Sequence, residues 1–171
     1  MDNSHYPFEV PEGWVWATIN QISKNISAGG DRPSQFSHVK KKEYTIPIYS
    51  NGITNRGLYG YTNIPTITMP SVTISARGTI GYSCIRYEPF CPIVRLITVI
   101  PNTEIIILEY LYRALSHLIP QGEGSSIPQL TVPTLSPKII PIPPLSEQRR
   151  IVAKIDQIFA QLETIEKLIT V

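Results

Sequence analysis

The chain has 171 residues, 42% of them hydrophobic and 16% charged, with a formal net charge of +2. That length admits one globular unit with a core plus an appendage, and the composition excludes a disordered chain. No apolar run reaches the ~20 residues of a membrane span, and the polar, proline-punctuated start is unlike a signal peptide, so a cytoplasmic protein with no membrane partner is expected.

Pro7, Pro11 and Gly13 break up the N-terminal stretch, and "WVWATINQIS" at residues 14–23 predicts a strand or a short helix that anchors the terminus. "NISAGGDRPSQFSHVKKKEY" then reads as a loop, because Gly29-Gly30, Asp31 and Pro33 are turn chemistry and Lys40, Lys41 and Lys42 resist burial. Between Lys24 and Arg95 there are nine Lys or Arg against three acids, a local excess of +6 that the flanking segments reduce to the net +2. Such a concentration is the footprint of an anionic partner, or else ordinary surface scatter.

From Thr45 to Arg95 the β-branched and aromatic content rises while turn signals recur at Asn51-Gly52, Arg56-Gly57, Gly60, Pro65, Pro70, Arg77-Gly78 and Gly81. Short strands with tight connections are predicted. "VTISARGTIGYSC" is the best hairpin, with Val72, Ile74 and Ala76 on one face, Ile80, Tyr82 and Cys84 returning, and Arg77 at the tip. "CPIVRLITVI" at residues 91–100 predicts the central buried strand. Leu108, Leu111, Tyr112, Leu115 and Leu118 then mark an amphipathic helix packed on the sheet. The proline-rich stretch from Pro120 to Pro144 forbids a continuous helix and predicts an extended polar loop leading into edge strands.

The last helix is predicted to start after Pro143-Pro144, with Ser146 as cap and Glu147 complementing the dipole. Ile151, Ile155, Ile158, Leu162, Ile165 and Ile169 recur along it at alternating spacings of four and three, a coiled-coil seam. Val152 and Phe159 widen the stripe, so the first turns are expected on the domain and the later ones projecting from it. Its 24 residues from Ser146 to Ile169 make a rod of about 36 Å, longer than one small domain covers. A partner helix outside this chain is expected; a helix folded back on its own core is the other reading. The expected division is a globular domain over residues 1–145 and a dimerisation helix over residues 146–171.

No catalytic constellation is found. His5, His38 and His117 have no ligand or triad spacing, Cys84 and Cys91 match no metal box and read as reduced buried thiols, and nucleotide-loop, dinucleotide, nuclease and amino-methyltransferase signatures are missing. A non-catalytic chain without metal or cofactor is expected. Gly78-Thr79-Ile80-Gly81 fits the Gly-x-x-Gly loop of an RNA-binding helical module, but its β-branched flanks favour a hairpin. The loops instead concentrate Arg, Lys, Gln, Asn and Ser, which bond to phosphates and read base edges.

Four stretches, "FEVPEGWVWATI", "SNGITNRGLYGYT", "SVTISARGTIGY" and "IPQLTVPTLSPKIIPIPPLSEQRRIVAKID", together resemble the DNA specificity subunit of type I restriction-modification enzymes, in the family's order and across nearly the whole chain. The resemblance implies an α+β target-recognition domain with short, mostly antiparallel strands and a packed helix, followed by a long coiled-coil-like helix. It also implies reading of one half of a split double-stranded DNA sequence. A complete specificity subunit has two such halves with antiparallel helices as a ruler between them, so the seam is expected to pair with a second copy or a second recognition half. Methyltransferase subunits carrying S-adenosylmethionine, and restriction subunits through the assembled complex, are the further partners it implies. "SAGGDRPSQ" resembles the family's glycine-containing first loop, which often has Thr-Pro where this chain has Asp31-Arg32-Pro33. Arg32, Ser34, Gln35, Asn51, Asn55, Arg56, Arg77 and Ser125 are expected to face DNA, with Lys40, Lys41 and Lys42 neutralising phosphates. A helix-mediated assembly subunit that does not read DNA is the alternative.

Overall fold

The computed structural model describes residues 6–119 and 129–169. Its strands are β1 (Val15–Thr18), β2 (Ser23–Ala28), β3 (Ile46–Tyr49), β4 (Leu58–Thr62), β5 (Ser71–Ile74), β6 (Ser83–Arg86), β7 (Cys91–Pro92), β8 (Ile97–Pro101) and β9 (Ile139–Ile142). The helices are α1 (Leu108–Leu118), the single turn α2 (Val132–Leu135) and α3 (Leu145–Ile169). The architecture is α+β. A four-stranded antiparallel sheet in the order β2-β8-β5-β6 is accompanied by a three-stranded sheet β4-β3-β7, in which only β3 and β7 run parallel, and by the ribbon β1-β9.

The alternation along β5 decides where everything else goes. Val72, Ile74 and Ala76 point to one face, where they join Ile97, Val99, Ile19, Ile22, Leu111 and Leu115 in the main core. Helix α1 covers that face with Leu108, Leu111 and Leu115 buried, as the three-and-four spacing predicts. Ser71, Thr73 and Ser75 point to the other face and are equally buried. Buried hydroxyls need partners: Ser75 Oγ accepts from the Gly52 N–H in a loop that carries the candidate site, and Thr73 Oγ1 bonds to Cys84 and Arg86 of β6.

Three predicted elements change. Asn25–Ala28 is not loop: β2 takes it as a sheet edge against β8, with a bulge between Ser23 and Asn25. An edge strand tolerates such polar residues because one of its sides faces solvent. The apolar run at residues 91–100 is not one strand, since Val94 and Arg95 both adopt left-handed backbone, at φ 54° and 60°, and separate β7 from β8. The predicted hairpin forms in register, with Val72 opposite Ile85 and Thr73 opposite Cys84, but residues 75–82 make a broad loop instead of a tight turn.

Helix α3 begins at Leu145, so Ser146 lies inside the first turn and is not the cap; the N–H groups of Glu147 and Gln148 bond to the Pro144 carbonyl. Gln148 is wholly buried. Its Oε1 accepts from the Ile107 N–H at 2.9 Å, and its Nε2 donates to the Ile105 and Pro143 carbonyls at 2.8 and 2.9 Å. Val152 is buried beside it, Ile151 and Ile155 are half-buried against α1, and Arg113 of α1 closes an ion pair with Asp156 at 2.5 Å. From Asp156 to Ile169 every side chain of the helix is exposed, so the first turns lie on the domain and the rest projects. No helix among the described residues is long and apolar enough to cross a membrane.

Candidate nucleic-acid interface

Four connecting segments meet at one end of the sheets. The Val94 and Arg95 N–H groups donate to the Gly30 and Gly29 carbonyls, each at 2.8 Å, and the Gly29 N–H donates to Leu96 at 2.9 Å. Gly29 is required here, because a Cβ would stand 2.6 Å from the Pro92 carbonyl carbon. Asn51 ties in two more segments: its Nδ2 donates to the Val94 carbonyl at 2.6 Å and its Oδ1 accepts from the Ala76 N–H at 2.7 Å. Next to it the Gly52 N–H donates to Ser75 Oγ at 3.1 Å. A left-handed β-branched residue such as Val94 costs about 1–3 kcal/mol and persists only where its surroundings hold it; the bonds from Asn51 and the Gly30 carbonyl do so. The junction leaves a shallow groove of about 540 Å3, lined by Ser50, Asn51, Gly52, Arg77, Gly78, Thr79 and Val94.

On the other side of the loop at residues 50–57 lies a cavity of about 350 Å3, walled by Tyr49, Asn55, Arg56, Ile85, Arg86, Tyr87 and others. Asn55 and Arg56 are a consecutive left-handed pair, φ 47° and 55°, with exposed side chains. Arg86 is buried below them. Its Nε donates to Thr73 Oγ1 at 3.1 Å, a terminal nitrogen donates to the Arg56 carbonyl at 2.6 Å, and its guanidinium carbon stands 3.5 Å from the Tyr49 ring centroid. Burial lowers the Arg86 pKa and raises that of Tyr49, since each charged form is costly there.

The expected DNA-facing residues fall into groups. Asn51 and Arg77 line the groove, while Asn55 and Arg56 line the cavity. Arg77 is half-buried and its Nε donates to Gln129 Oε1 at 3.1 Å, which orients the guanidinium. The amide of Asn51 bonds to backbone at both ends, so it builds the groove and keeps at most one of its two Nδ2 hydrogens for a base. Arg32 is exposed, donates to the Tyr59 hydroxyl at 2.9 Å and lies 4.2 Å over the Phe36 ring. Ser34 and Gln35 are exposed on the same loop, with the Gln35 carbonyl accepting from Thr62. Lys40, Lys41 and Lys42 are exposed beyond the Phe36, His38 and Tyr59 ring cluster and line neither the groove nor the cavity. Ser125 lies outside the described residues. Sequence reasoning missed Arg86 and Gln129, whose side chains bond to Arg56 and Arg77 across long stretches of chain.

Along α3, Ile151 and Ile155 line an apolar cleft with Phe8, Trp16 and Tyr110, whereas Ile158, Leu162, Ile165 and Ile169 are 44%, 48%, 51% and 76% exposed. Loops bearing Arg32, Arg56 and Arg77 therefore sit on a domain from which an apolar-striped helix projects. Residues 11–171 match the type I restriction modification DNA specificity domain.

The chain belongs to that family.

Among its relatives, the putative type I specificity subunits S.MpnORF507P and S.MpnORF89P of Mycoplasma pneumoniae are 36% and 32% identical over 141 and 142 residues. Those alignments cover 82% and 83% of this chain but 39% and 42% of the relatives, so the chain spans about two-fifths of their length. The specificity subunit of the Escherichia coli type I enzyme EcoKI is 23% identical over 180 residues, covering 91% of this chain and 38% of that subunit. The fold is that of solved specificity subunits. The HsdS subunit of Thermoanaerobacter tengcongensis superposes with a TM-score of 0.76 over 96% of this chain and 42% of its own, at 24% identity. A chain from a study of type I system assembly gives 0.80 over 96% of this chain and 43% of its own, also at 24% identity.

Proposed function

We propose that this chain is one target-recognition half of a type I specificity subunit, with residues 1–145 reading one half of a split duplex DNA target and residues 146–171 setting the distance to a second half. The second half is another copy of the chain or a further recognition segment. Methyltransferase subunits dock on the assembled helices and supply S-adenosylmethionine chemistry, restriction subunits join through that complex, and this chain selects the site without reacting at it. The observation that supports the reading is the four-segment junction, where polar bonds fix the backbone beside Arg77, with Arg32, Asn55 and Arg56 exposed on the adjoining loops. Preorganised donors of this kind lose little entropy on binding.

The direct test is to co-express the chain with its methyltransferase partner, map the methylated sites, and measure duplex binding against salt. A reader loses affinity as salt rises, with a slope set by its phosphate contacts, and discriminates among duplexes at fixed salt. A chain that assembles with methyltransferase but binds all duplexes alike is an assembly subunit instead.

Arg77→Ala is expected to weaken cognate binding by about 1–3 kcal/mol, the worth of one bidentate base contact, while the thermal unfolding midpoint stays near wild type. Unchanged cognate affinity in the folded variant removes Arg77 from the reading face. Replacing Lys40, Lys41 and Lys42 together by alanine is expected to act differently: the salt slope flattens, binding weakens on every sequence, and the preference among sequences stays. A changed preference with an unchanged slope contradicts a phosphate role.

A further inference from the structure

Arg86 ends β6 on the polar face of the sheet and is 5% exposed. A guanidinium removed from water is tolerated only where its donors are occupied. Here the shortest bond, 2.6 Å, goes to the carbonyl of Arg56, the second residue of the left-handed pair. Left-handed backbone at two consecutive side-chain-bearing residues is unfavourable by itself and has to be held from outside. If the turn relaxed to right-handed backbone, the Arg56 carbonyl would leave Arg86, and the buried cation would lose its strongest acceptor. The unfavourable burial and the unfavourable turn thus hold each other in place. Tyr49 beneath the guanidinium and Thr73 at its Nε fix the approach direction.

We propose that Arg86 is a positioning residue for DNA specificity: it latches the Arg56 carbonyl and so fixes the direction in which Asn55 and Arg56 meet the DNA, itself touching neither base nor phosphate. The inference rests on the DNA-reading function proposed above.

The experiment compares full-length wild type, Arg86→Met, Arg86→Lys, the pair Asn55→Gly/Arg56→Gly, and that pair combined with Arg86→Met. Each is tested for binding to a duplex library at several salt concentrations and for thermal unfolding. Glycine keeps the left-handed turn while removing both side chains. Arg86→Met is expected to reduce discrimination at least tenfold at the base positions where the glycine pair loses it, with the salt slope of wild type. Lysine does not rescue, because one ammonium on a flexible stem cannot reproduce the planar fork between Thr73, Arg56 and the Tyr49 ring. Added to the glycine pair, Arg86→Met changes preference no further.

Retained discrimination in folded Arg86→Met overturns the proposal. So does a salt slope smaller by about one, the mark of a lost phosphate contact, or further loss on the glycine background, the mark of a base contact made by Arg86 itself. If Arg86→Met does not fold, Thr73→Val removes the Nε acceptor and keeps the charge; a smaller loss at the same positions is expected, and unchanged preference overturns the proposal. If the glycine pair discriminates like wild type, the turn does not read DNA and the proposal falls while the DNA-reading function stands. A wild type without sequence preference defeats that function, and this proposal with it.

Discussion

Replacing Gln148 by leucine is expected to destabilise the chain by about 3 kcal/mol, because three backbone groups, one buried and two part-buried, lose their partner and an unsatisfied buried group costs about 1–3 kcal/mol. Leucine fills nearly the same volume, so little of the loss comes from a cavity. What is removed is the bond from the Ile107 N–H, which lies at the start of α1 where no side chain caps the helix, and the bonds to Ile105 and Pro143. Those contacts join the start of α1 to the start of α3, so the projecting helix loses its fixed angle as the domain loses stability. In a chain of this size the change corresponds to a fall in unfolding midpoint of roughly 6–12 °C. Urea unfolding with an unchanged m-value measures it. A loss below about 1 kcal/mol means that water or a shifted backbone satisfies the three groups, and Gln148 is then no keystone of the helix attachment.

The start of α3 was legible while its anchor was not, and the difference is physical. Pro143-Pro144 ahead of an apolar stripe announces a helix because proline cannot sit inside one. A glutamine on the first turn carries no such signal, since its usual place is solvent. The same contrast runs through the site. Asn51-Gly52 reads correctly as a turn, but the two bonds of the Asn51 amide reach residues 25 and 43 positions away, and no local pattern reports them. The alternation of Val72, Ile74 and Ala76 and the spacing of Leu108, Leu111 and Leu115 were legible because they are set by strand and helix periods. The left-handed break at Val94 and Arg95 was not, because the run on either side is apolar and valine is the last residue expected at positive φ. Strand β2 was hidden for the opposite reason: with only Ile26 and Ala28 apolar among its six residues, an edge strand looks like a loop. Long-range polar contacts shape this site, and these are the interactions that periodicity does not encode.

Charging the projecting half of α3 with Ile158→Glu and Leu162→Glu is expected to abolish self-association while leaving the recognition domain folded. Both side chains are already 44% and 48% exposed, so within one chain the substitutions remove little packing. Around them Phe159, Ile165, Leu168 and Ile169 are exposed as well, an apolar stripe on a helix whose other faces carry polar and charged residues. Apolar stripes of this length are covered in solution when a complement is available. In a pure preparation at high concentration the available complement is a second copy, whose stripe matches when the helices run antiparallel about a two-fold axis. The axis doubles each substitution, so four carboxylates enter one interface. At about 1 kcal/mol or more each, the sum is roughly 4 kcal/mol and a dissociation constant about a thousandfold weaker. Sedimentation across a concentration series reads the outcome directly. A wild type that stays monomeric at high micromolar concentration, or a double variant that still dimerises, assigns the stripe to a different helix. A wild type that dimerises would hold two identical recognition domains at a fixed separation, and its target would then be an inverted repeat interrupted by a spacer, since two-fold proteins mirror their symmetry in the DNA they bind.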